Sequence, residues 1–256
     1  MSFAVTSDSY DRFMGRYSTP LAPVFVDFAQ IPSATRLLDV GCGTGALVAE
    51  LLRRPATEHV VAVDPSDSFV AAMRERHPDL RVEQADAEHL PFDDGTFDAS
   101  LAQLVVHFMP DPVAGIAGMR RVTRPGGIVA ACVWDFVEGG GPLTLFWDAV
   151  HDIDPTSLGE ATLPGTRRGD LRAIFGEAGL VDVDEAPISV TVQHSSFEEW
   201  WEPFTLGVGP AGAHVSALTA QEVDRLRERC RERHPGAPFD VTARAWAARG
   251  TMPDTE

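Results

Sequence analysis

Residues 36–54 read Arg-Leu-Leu-Asp-Val-Gly-Cys-Gly-Thr-Gly-Ala-Leu-Val-Ala-Glu-Leu-Leu-Arg-Arg, and the pattern changes twice along them. Leu37, Leu38 and Val40 form a short apolar run, the mark of a buried strand. Gly41, Gly43 and Gly45 follow at alternate positions. Leu47, Val48, Leu51 and Leu52 then recur at helical spacing until Pro55 stops the pattern. The segment therefore reads as strand, glycine turn, helix. Glycine permits φ > 0 and lets a ligand approach the main chain, and a helix start presents free N–H groups. Such a junction suits a nucleotide-like ligand.

The same alternation continues outward. Val60 to Asp64 is a second buried strand, and its terminal acid lies 23 positions after Gly41. Leu80 to Glu83 is a third strand, and Phe97 to Val106 a fourth with His107 at its end. Pro112 opens a helix through Val122, Arg124-Pro125-Gly126-Gly127 is a turn, and Ile128 to Trp134 is a fifth strand. Strands alternating with helices predict a parallel sheet covered on both faces. Before this unit, Tyr10, Phe13, Met14 and Tyr17 make one apolar helical stripe, and Pro20 divides it from a second at Leu21, Val24, Phe25 and Phe28. After it, the residues from 136 are looser. They hold a helix closed by Gly179, a strand over 181–192 and two helices over 195–235, with capping boxes at Ser196…Glu199 and Thr219…Glu222. A last strand runs from Phe239 to Ala247, and the tail from Gly250 is expected to fray.

Composition narrows the chemistry. The 256 residues are enough for one domain with a cap, and the formal charge is −17. A chain this acidic repels phosphate backbones, so nucleic acid is not the expected partner. Arg225, Arg227, Arg229, Arg231 and Arg233 alternate with Glu228 and Glu232, which reads as a solvated helix face. There is no lysine, so Schiff-base and Walker-type chemistry are excluded, and no asparagine, a bias that reads as GC-rich bacterial coding. Three cysteines without C-x-x-C spacing (Cys42, Cys132, Cys230) argue for a reduced compartment. Met1 to Arg12 holds no hydrophobic signal core and no run is long enough to span a bilayer, so the expectation is a cytoplasmic protein. The scattered histidines lack metal-ligand spacing, so no metal is assigned.

The glycine turn meets two templates. Gly41, Gly43 and Ala46 fit the dinucleotide fingerprint, which would make the chain an NAD(P)-binding Rossmann oxidoreductase. Asp39, Gly41, Gly43 and Gly45 fit D-x-G-x-G-x-G in full. A buried acid two residues before the first glycine repels a pyrophosphate and suits a ligand with a positive end. S-adenosylmethionine (SAM) carries both an ammonium and a sulfonium. The alternative for Asp39 is a cap on loop amides.

These motifs resemble the class I SAM-dependent methyltransferases, in particular the ubiquinone/menaquinone and type-11 branch. The resemblance covers about residues 36–134. Leu38 to Gly45 resembles the first motif, so Asp39, Gly41, Cys42, Gly43 and Gly45 are implied to hold the methionine and ribose. Asp64, with Pro65 beside it, matches the acid that binds the ribose hydroxyls. Asp86-Ala87, before Glu88-His89-Leu90-Pro91-Phe92, is similar to the adenine motif, and Arg124-Pro125-Gly126-Gly127 to the "LKPGG" turn. Gln103 faces the cofactor in such proteins. Tyr10 to Tyr17 resembles a helix that covers the cofactor, which adds Tyr10 and Arg16 to the implied binding residues.

The resemblance implies a Rossmann-like seven-stranded α/β sheet of order 3-2-1-4-5-7-6, with helices on both faces and a helical cap. The expected organisation is a single domain over 1–256, with its SAM-binding core at 36–136. Residues 1–30, 137–165 and 195–235 would form the cap and substrate elements. The implied reaction is methyl transfer to a small apolar or aromatic metabolite, in a monomer or homodimer, with His107 as candidate base. Trp134, Trp147, Trp200, Trp201 and Phe204 are candidate walls of an acceptor pocket. The N/D-P-P-Y/F motif of amino-group methyltransferases is absent, because Asp111-Pro112 is followed by Val113-Ala114. A catalytically silent SAM-binding protein is the remaining alternative.

Overall fold

A computed structural model of the chain describes residues 7–31, 35–54, 57–157, 159–234 and 236–254. Pro55, the expected stop of the first helix, lies outside them. Seven strands form one sheet: β1 (Thr35–Val40), β2 (Thr57–Asp64), β3 (Arg81–Gln84), β4 (Phe97–Gln103), β5 (Thr123–Trp134), β6 (Val181–His194) and β7 (Phe239–Thr251). Their order is β3-β2-β1-β4-β5-β7-β6, as expected. The pairs from β3 across to β5 are parallel, and β7 runs antiparallel to both of its neighbours.

Both faces of the central strands are covered, which explains their unbroken apolar runs. Leu37 and Leu101 pack on one face against α2 (Arg16–Ala29), α3 (Ala46–Arg53) and α4 (Asp67–Arg76), through Phe25, Leu51 and Met73 among others. Leu38, Val40 and Val63 pack on the other face against Ile116 and Met119 of α5 (Pro112–Val122). Each such fully buried side chain contributes about 1.5–3 kcal/mol of transfer free energy. The Asp111 carboxylate caps α5 by accepting from the Ala114 amide at 3.0 Å.

Several local expectations are corrected. Pro20 does not divide the N-terminal helix. A short helix, α1 (Ser7–Tyr10), passes through a π-helical turn at Asp11–Gly15 into α2, which contains both Pro20 and Pro23. The apolar stripe, with Tyr17, Leu21 and Phe25 buried, holds the segment on the sheet through both prolines. The fourth strand ends at Gln103, and Leu104 is left-handed (φ 63°). A 3-10 turn, Val106–Phe108, then carries His107. Arg124 to Gly127 is a bulge inside β5 rather than a separate turn, because the register with β4 shifts there.

The tail is pinned where fraying was expected. Gly250 and Thr251 belong to β7, and Met252 exchanges hydrogen bonds with Gly126 and Gly127 at 2.9 Å. The looser half contains α6 (Thr144–Ile153) and α7 (Asp170–Glu177). The insert between β6 and β7 holds three helices where two were expected: α8 (Phe197–Trp201), α9 (Gly209–Ala217) and α10 (Ala220–Arg233). Thr219 and Glu222 close a full capping box on α10. Ser196 caps α8, but Glu199 turns to the Ser195 amide instead. The arginines of α10 are not simply solvated. Arg229 and Arg233 reach Asp152 of α6 at 2.7 and 2.6 Å, and Arg231 reaches Glu198 of α8 at 2.9 Å.

Candidate cofactor and acceptor site

The glycine turn folds back on β2. The Gly41 and Cys42 amides both donate to the Val63 carbonyl, at 2.8 and 3.0 Å. Gly41, Gly43 and Gly45 all have positive φ (73°, 51° and 93°), which is what the alternate spacing requires. Asp64 ties the turn to the end of β2. Its Oδ2 accepts from the Gly43 amide at 2.9 Å and its Oδ1 from the Ser66 amide at 2.8 Å. Burial raises the Asp64 pKa, and the two amides counter it by favouring the charged form.

Above this turn, at the carboxyl ends of the parallel strands, lies a cavity of about 540 Å³. Gly41, Gly43, Asp64 and Pro65 line one end, Asp86 and Ala87 another, and Gln103 the strand edge. Tyr10 closes the cavity from α1, with its ring edge-on to Phe69 of α4 at 5.6 Å. Asp64, Asp67, Asp86 and Glu88 put four carboxylates on the wall, and no arginine lines it among the described residues. A pyrophosphate would meet only negative charge here, while a cationic ligand is favoured. Asp86 Oδ1 accepts from the His89 amide at 2.8 Å and lies 2.9 Å from its Nδ1, which fixes the carboxylate at the rim.

Other residues implied by the resemblance do not line this cavity. Gly45 starts α3 in the left-handed region, and a Cβ there would sit 2.6 Å from Met73 Sδ. The Cys42 side chain packs into the core, where burial pushes its thiol pKa up. Asp39 lies beneath the turn, where the Val48 amide of α3 hydrogen-bonds its carboxylate. Burial and the charge of Asp64 push its pKa up to about 8, and its Oδ2 has no partner. Arg16 is turned away from the cavity. Its Nη1 donates to His194 Nδ1 at 2.8 Å and its Nη2 to Glu199 at 3.2 Å, so the arginine fastens α2 to the end of β6 and to α8. Gln103 donates through Nε2 to the Ser18 carbonyl at 2.9 Å, and its buried Oε1 has no partner.

A second, smaller chamber of about 30 Å³ adjoins the first, and Tyr10, Leu104 and Phe108 line both. Phe13, Met14, Trp134 and Phe136 make its other walls aromatic or apolar. His107 belongs to this chamber and not to the larger one. Burial lowers its pKa to about 3, and Nδ1 has no partner, so the ring is neutral and a weak base. Of the expected acceptor aromatics, Trp134 is on the wall. Trp200 and Trp201 pack against Phe197 inside the insert instead, and Phe204 packs against Trp200 and stacks on Phe146 of α6. Trp147 stands behind the chamber and donates from Nε1 to Glu160 Oε2 at 2.8 Å.

Glu160 is a chamber residue that sequence reasoning passed over. It is 4% exposed and is the sole carboxylate on the chamber wall among the described residues. Burial pushes its carboxyl up to about 7, against the opposing Trp147 hydrogen bond. It sits in a loop without apolar periodicity, where one acid after a glycine carries no signal. Among the described residues, no group of three or more His, Cys, Asp or Glu side chains gathers as metal ligands, and no helix is long and apolar enough to cross a membrane.

The sheet order, with β7 antiparallel between β5 and β6, is that of the class I methyltransferase fold. Residues 38–131 match the family model described as a methyltransferase domain. It is similar to an uncharacterized methyltransferase of Mycobacterium tuberculosis, at 36% identity over 135 residues, covering 53% of this chain and 52% of that one. A demethylmenaquinone methyltransferase of Beutenbergia cavernae is 42% identical over 92 residues, 36% of this chain and 38% of that one. The chain thus spans about half the length, or less, of these curated relatives. Among solved structures, the YcgJ protein of Bacillus subtilis superposes with a TM-score of 0.59 at 16% identity, over 91% of this chain and 98% of that one. That likeness speaks for the fold alone.

Proposed function

We propose that the chain binds SAM in the larger cavity and transfers its methyl group to a small apolar or aromatic acceptor. The observation that carries this reading is the cavity wall itself: a glycine turn, an acid at the end of β2 and four carboxylates without a described arginine. The buried, unpartnered oxygens of Gln103, on the cavity edge, and of Asp39, beneath the turn, are acceptors that fit a ligand with a cationic end. An NAD(P) pyrophosphate finds no positive partner on this wall.

In this reading Asp64 and the Gly43 turn hold the ribose end, and Asp86 and Ala87 the base. Gln103 offers its free Oε1 to the ammonium, whose charge would in turn favour the ionised form of Asp39 beneath the turn. When bound, SAM supplies an electrophilic methyl on a sulfonium whose departure leaves a neutral thioether. The protein's task is then alignment and exclusion of water. Tyr10, Leu104 and Phe108 separate the two cavities, so an acceptor in the smaller chamber faces the larger one across these three side chains. The described residues leave the oligomeric state open to monomer or homodimer, and a cytoplasmic small-molecule enzyme is the reading we favour.

Calorimetric titration tests the cofactor. S-adenosylhomocysteine (SAH) is expected to bind one to one, and NAD to give no heat. Binding of NAD without SAH would overturn the reading. A chain that binds SAH and methylates nothing in a broad metabolite panel would instead be a silent SAM-binding protein.

A further inference from the structure

We infer that Glu160, rather than His107, is the group that receives the acceptor's proton, and that the acceptor presents a weakly acidic hydroxyl, phenolic or enolic, on a flat apolar body. The inference rests on the methyl-transfer reading above and names the chemistry of its second chamber.

Three features of the chamber carry it. Its walls are aromatic and apolar, from Phe13 and Met14 on the π turn to Trp134 and Phe136 at the end of β5, which suits a planar apolar ring. Its polar content is almost confined to two side chains, Glu160 and His107, with the Tyr10 hydroxyl on the partition. Glu160 is buried, and among the described residues Trp147 is its one hydrogen-bond partner, on Oε2. That bond fixes the carboxylate and leaves Oε1 for a ligand. An aliphatic wall would need no such acid, because burying a carboxyl without a full set of partners costs several kcal/mol.

The two candidate bases differ in what burial does to them. It drives the His107 pKa down to about 3, so at neutral pH the imidazole holds a proton poorly. It drives Glu160 up to about 7, within reach of a phenol or enol and near working pH. The titratable groups that share the chamber with Glu160 are His107 and Tyr10. His214 of α9 lies on the far side, its ring 5.8 Å from that of Trp147, and burial lowers its pKa. No arginine lines the chamber among the described residues, so no fixed cation holds Glu160 ionised.

The step balances as an SN2 displacement. The acceptor's O–H bond breaks toward Glu160 Oε1, and the oxygen electron pair forms the O–CH3 bond. The bond from the sulfonium to that methyl breaks, and its pair stays on sulfur. Glu160 then releases the proton to solvent as products leave. At about 30 Å³ the closed chamber holds a water-sized volume, so the acceptor enters by displacing the wall at Phe13 and Met14. The π turn under those residues, already off the regular ladder, is where the wall can give.

The test uses the whole chain with SAH bound and 4-nitrophenol as probe. In the wild type, binding is expected to shift the probe toward its phenolate absorbance and to quench tryptophan fluorescence. Glu160→Gln keeps the acceptor for Trp147 Nε1 but takes no proton, so the probe binds and stays neutral. A parallel assay follows methyl transfer from SAM to a panel of phenols and enols between pH 5 and 9. The wild-type rate is expected to rise through about pH 7, and Glu160→Gln to lose that limb and about 10²-fold in turnover. His107→Gln keeps the limb. The inference is overturned if Glu160→Gln retains the limb, if His107→Gln removes it, or if amines are methylated and no phenol or enol is. SAH titration of each variant separates these outcomes from failure of the cofactor reading, because neither side chain lines the larger cavity.

Discussion

At the residue scale, two glycines of one turn do different work. A Cβ at Gly41 would lie 2.5 Å from Val105 Cγ2, inside a packed contact, and φ there is +73°. A Cβ at Gly43 would meet nothing within 4 Å, because that position opens on the larger cavity, although φ is +51°. Gly41→Ala therefore combines overpacking with backbone strain, a cost of roughly 2–5 kcal/mol. Gly43→Ala adds only the strain, about 1–2 kcal/mol. Their effects on SAH binding should reverse that order relative to stability. Gly43→Ala is expected to fold and to lose at least about tenfold in affinity, the factor that about 1.4 kcal/mol represents. Thermal melts and calorimetry on the two variants check this, and a Gly43→Ala chain that binds SAH normally would place the ligand elsewhere. Asp64 offers a second check. Asp64→Asn puts an amide against the Gly43 and Ser66 amides that the carboxylate now accepts, so it should weaken SAH binding while leaving the sheet intact.

At the element scale, the N-terminal helix is held by an imidazole whose tautomer the neighbours dictate. Arg16 has only donors, so His194 Nδ1 must accept at 2.8 Å, and the ring proton sits on Nε2, which donates to Tyr17 Oη at 2.8 Å. Protonating Nδ1 would set two donors against each other. Burial and the Arg16 charge accordingly lower the His194 pKa to about 4. His107, lowered to about 3, acts in the same direction. Between the ordinary histidine value near 6.5 and these folded values, the unfolded chain binds protons that the folded chain refuses. Stability from both groups is therefore complete above about pH 6.5 and is lost as pH falls toward 4 and 3. Melting temperature should drop across that window, and His194→Gln, which cannot titrate, should flatten the drop. An unchanged slope in that variant would remove His194 from the account.

This latch was invisible in the sequence. Tyr17 and His194 are 177 positions apart, and Arg16 reads as one more cation on an amphipathic helix. The strands and helices from 36 to 134 were legible, because each central strand is buried on both faces and reads as an unbroken apolar run, while each covering helix is buried on one face and keeps the 3.6 period. Pro20 misled because the residues on either side of it, Tyr17, Leu21 and Phe25, are buried in one core, and that packing holds one helix through two prolines. Helix α9 was missed because its buried residues are Ala211, Gly212 and Val215, too small a set to make a stripe. The glycine turn and Asp64 were legible because backbone geometry demands them. Glu160 was not, because only the fold brings it to one chamber wall with residues distant in sequence, Trp134 and Val208 among them.

At the scale of the whole molecule, a charge of −17 and a carboxylate-lined cavity act together on any ligand that approaches. Pairing takes up part of the positive charge, as on α10, where Arg229 reaches Asp152 and Arg231 reaches Glu198. The cavity adds Asp64, Asp67, Asp86 and Glu88 on its own wall, and a low-dielectric cleft lined by one sign of charge focuses field lines. SAM and SAH differ by one methyl and by the charge on sulfur, so their affinities compare the same contacts with and without one unit of positive charge. Salt screens that difference, since the Debye length falls from about 30 Å at 0.01 M to about 3 Å at 1 M. SAM affinity should therefore fall more steeply with added potassium chloride than SAH affinity, so that any preference for SAM at low salt shrinks or reverses at high salt. Titrations of both ligands at low and high salt measure the two slopes directly. Equal slopes would mean that the sulfur sits beyond the reach of the carboxylates.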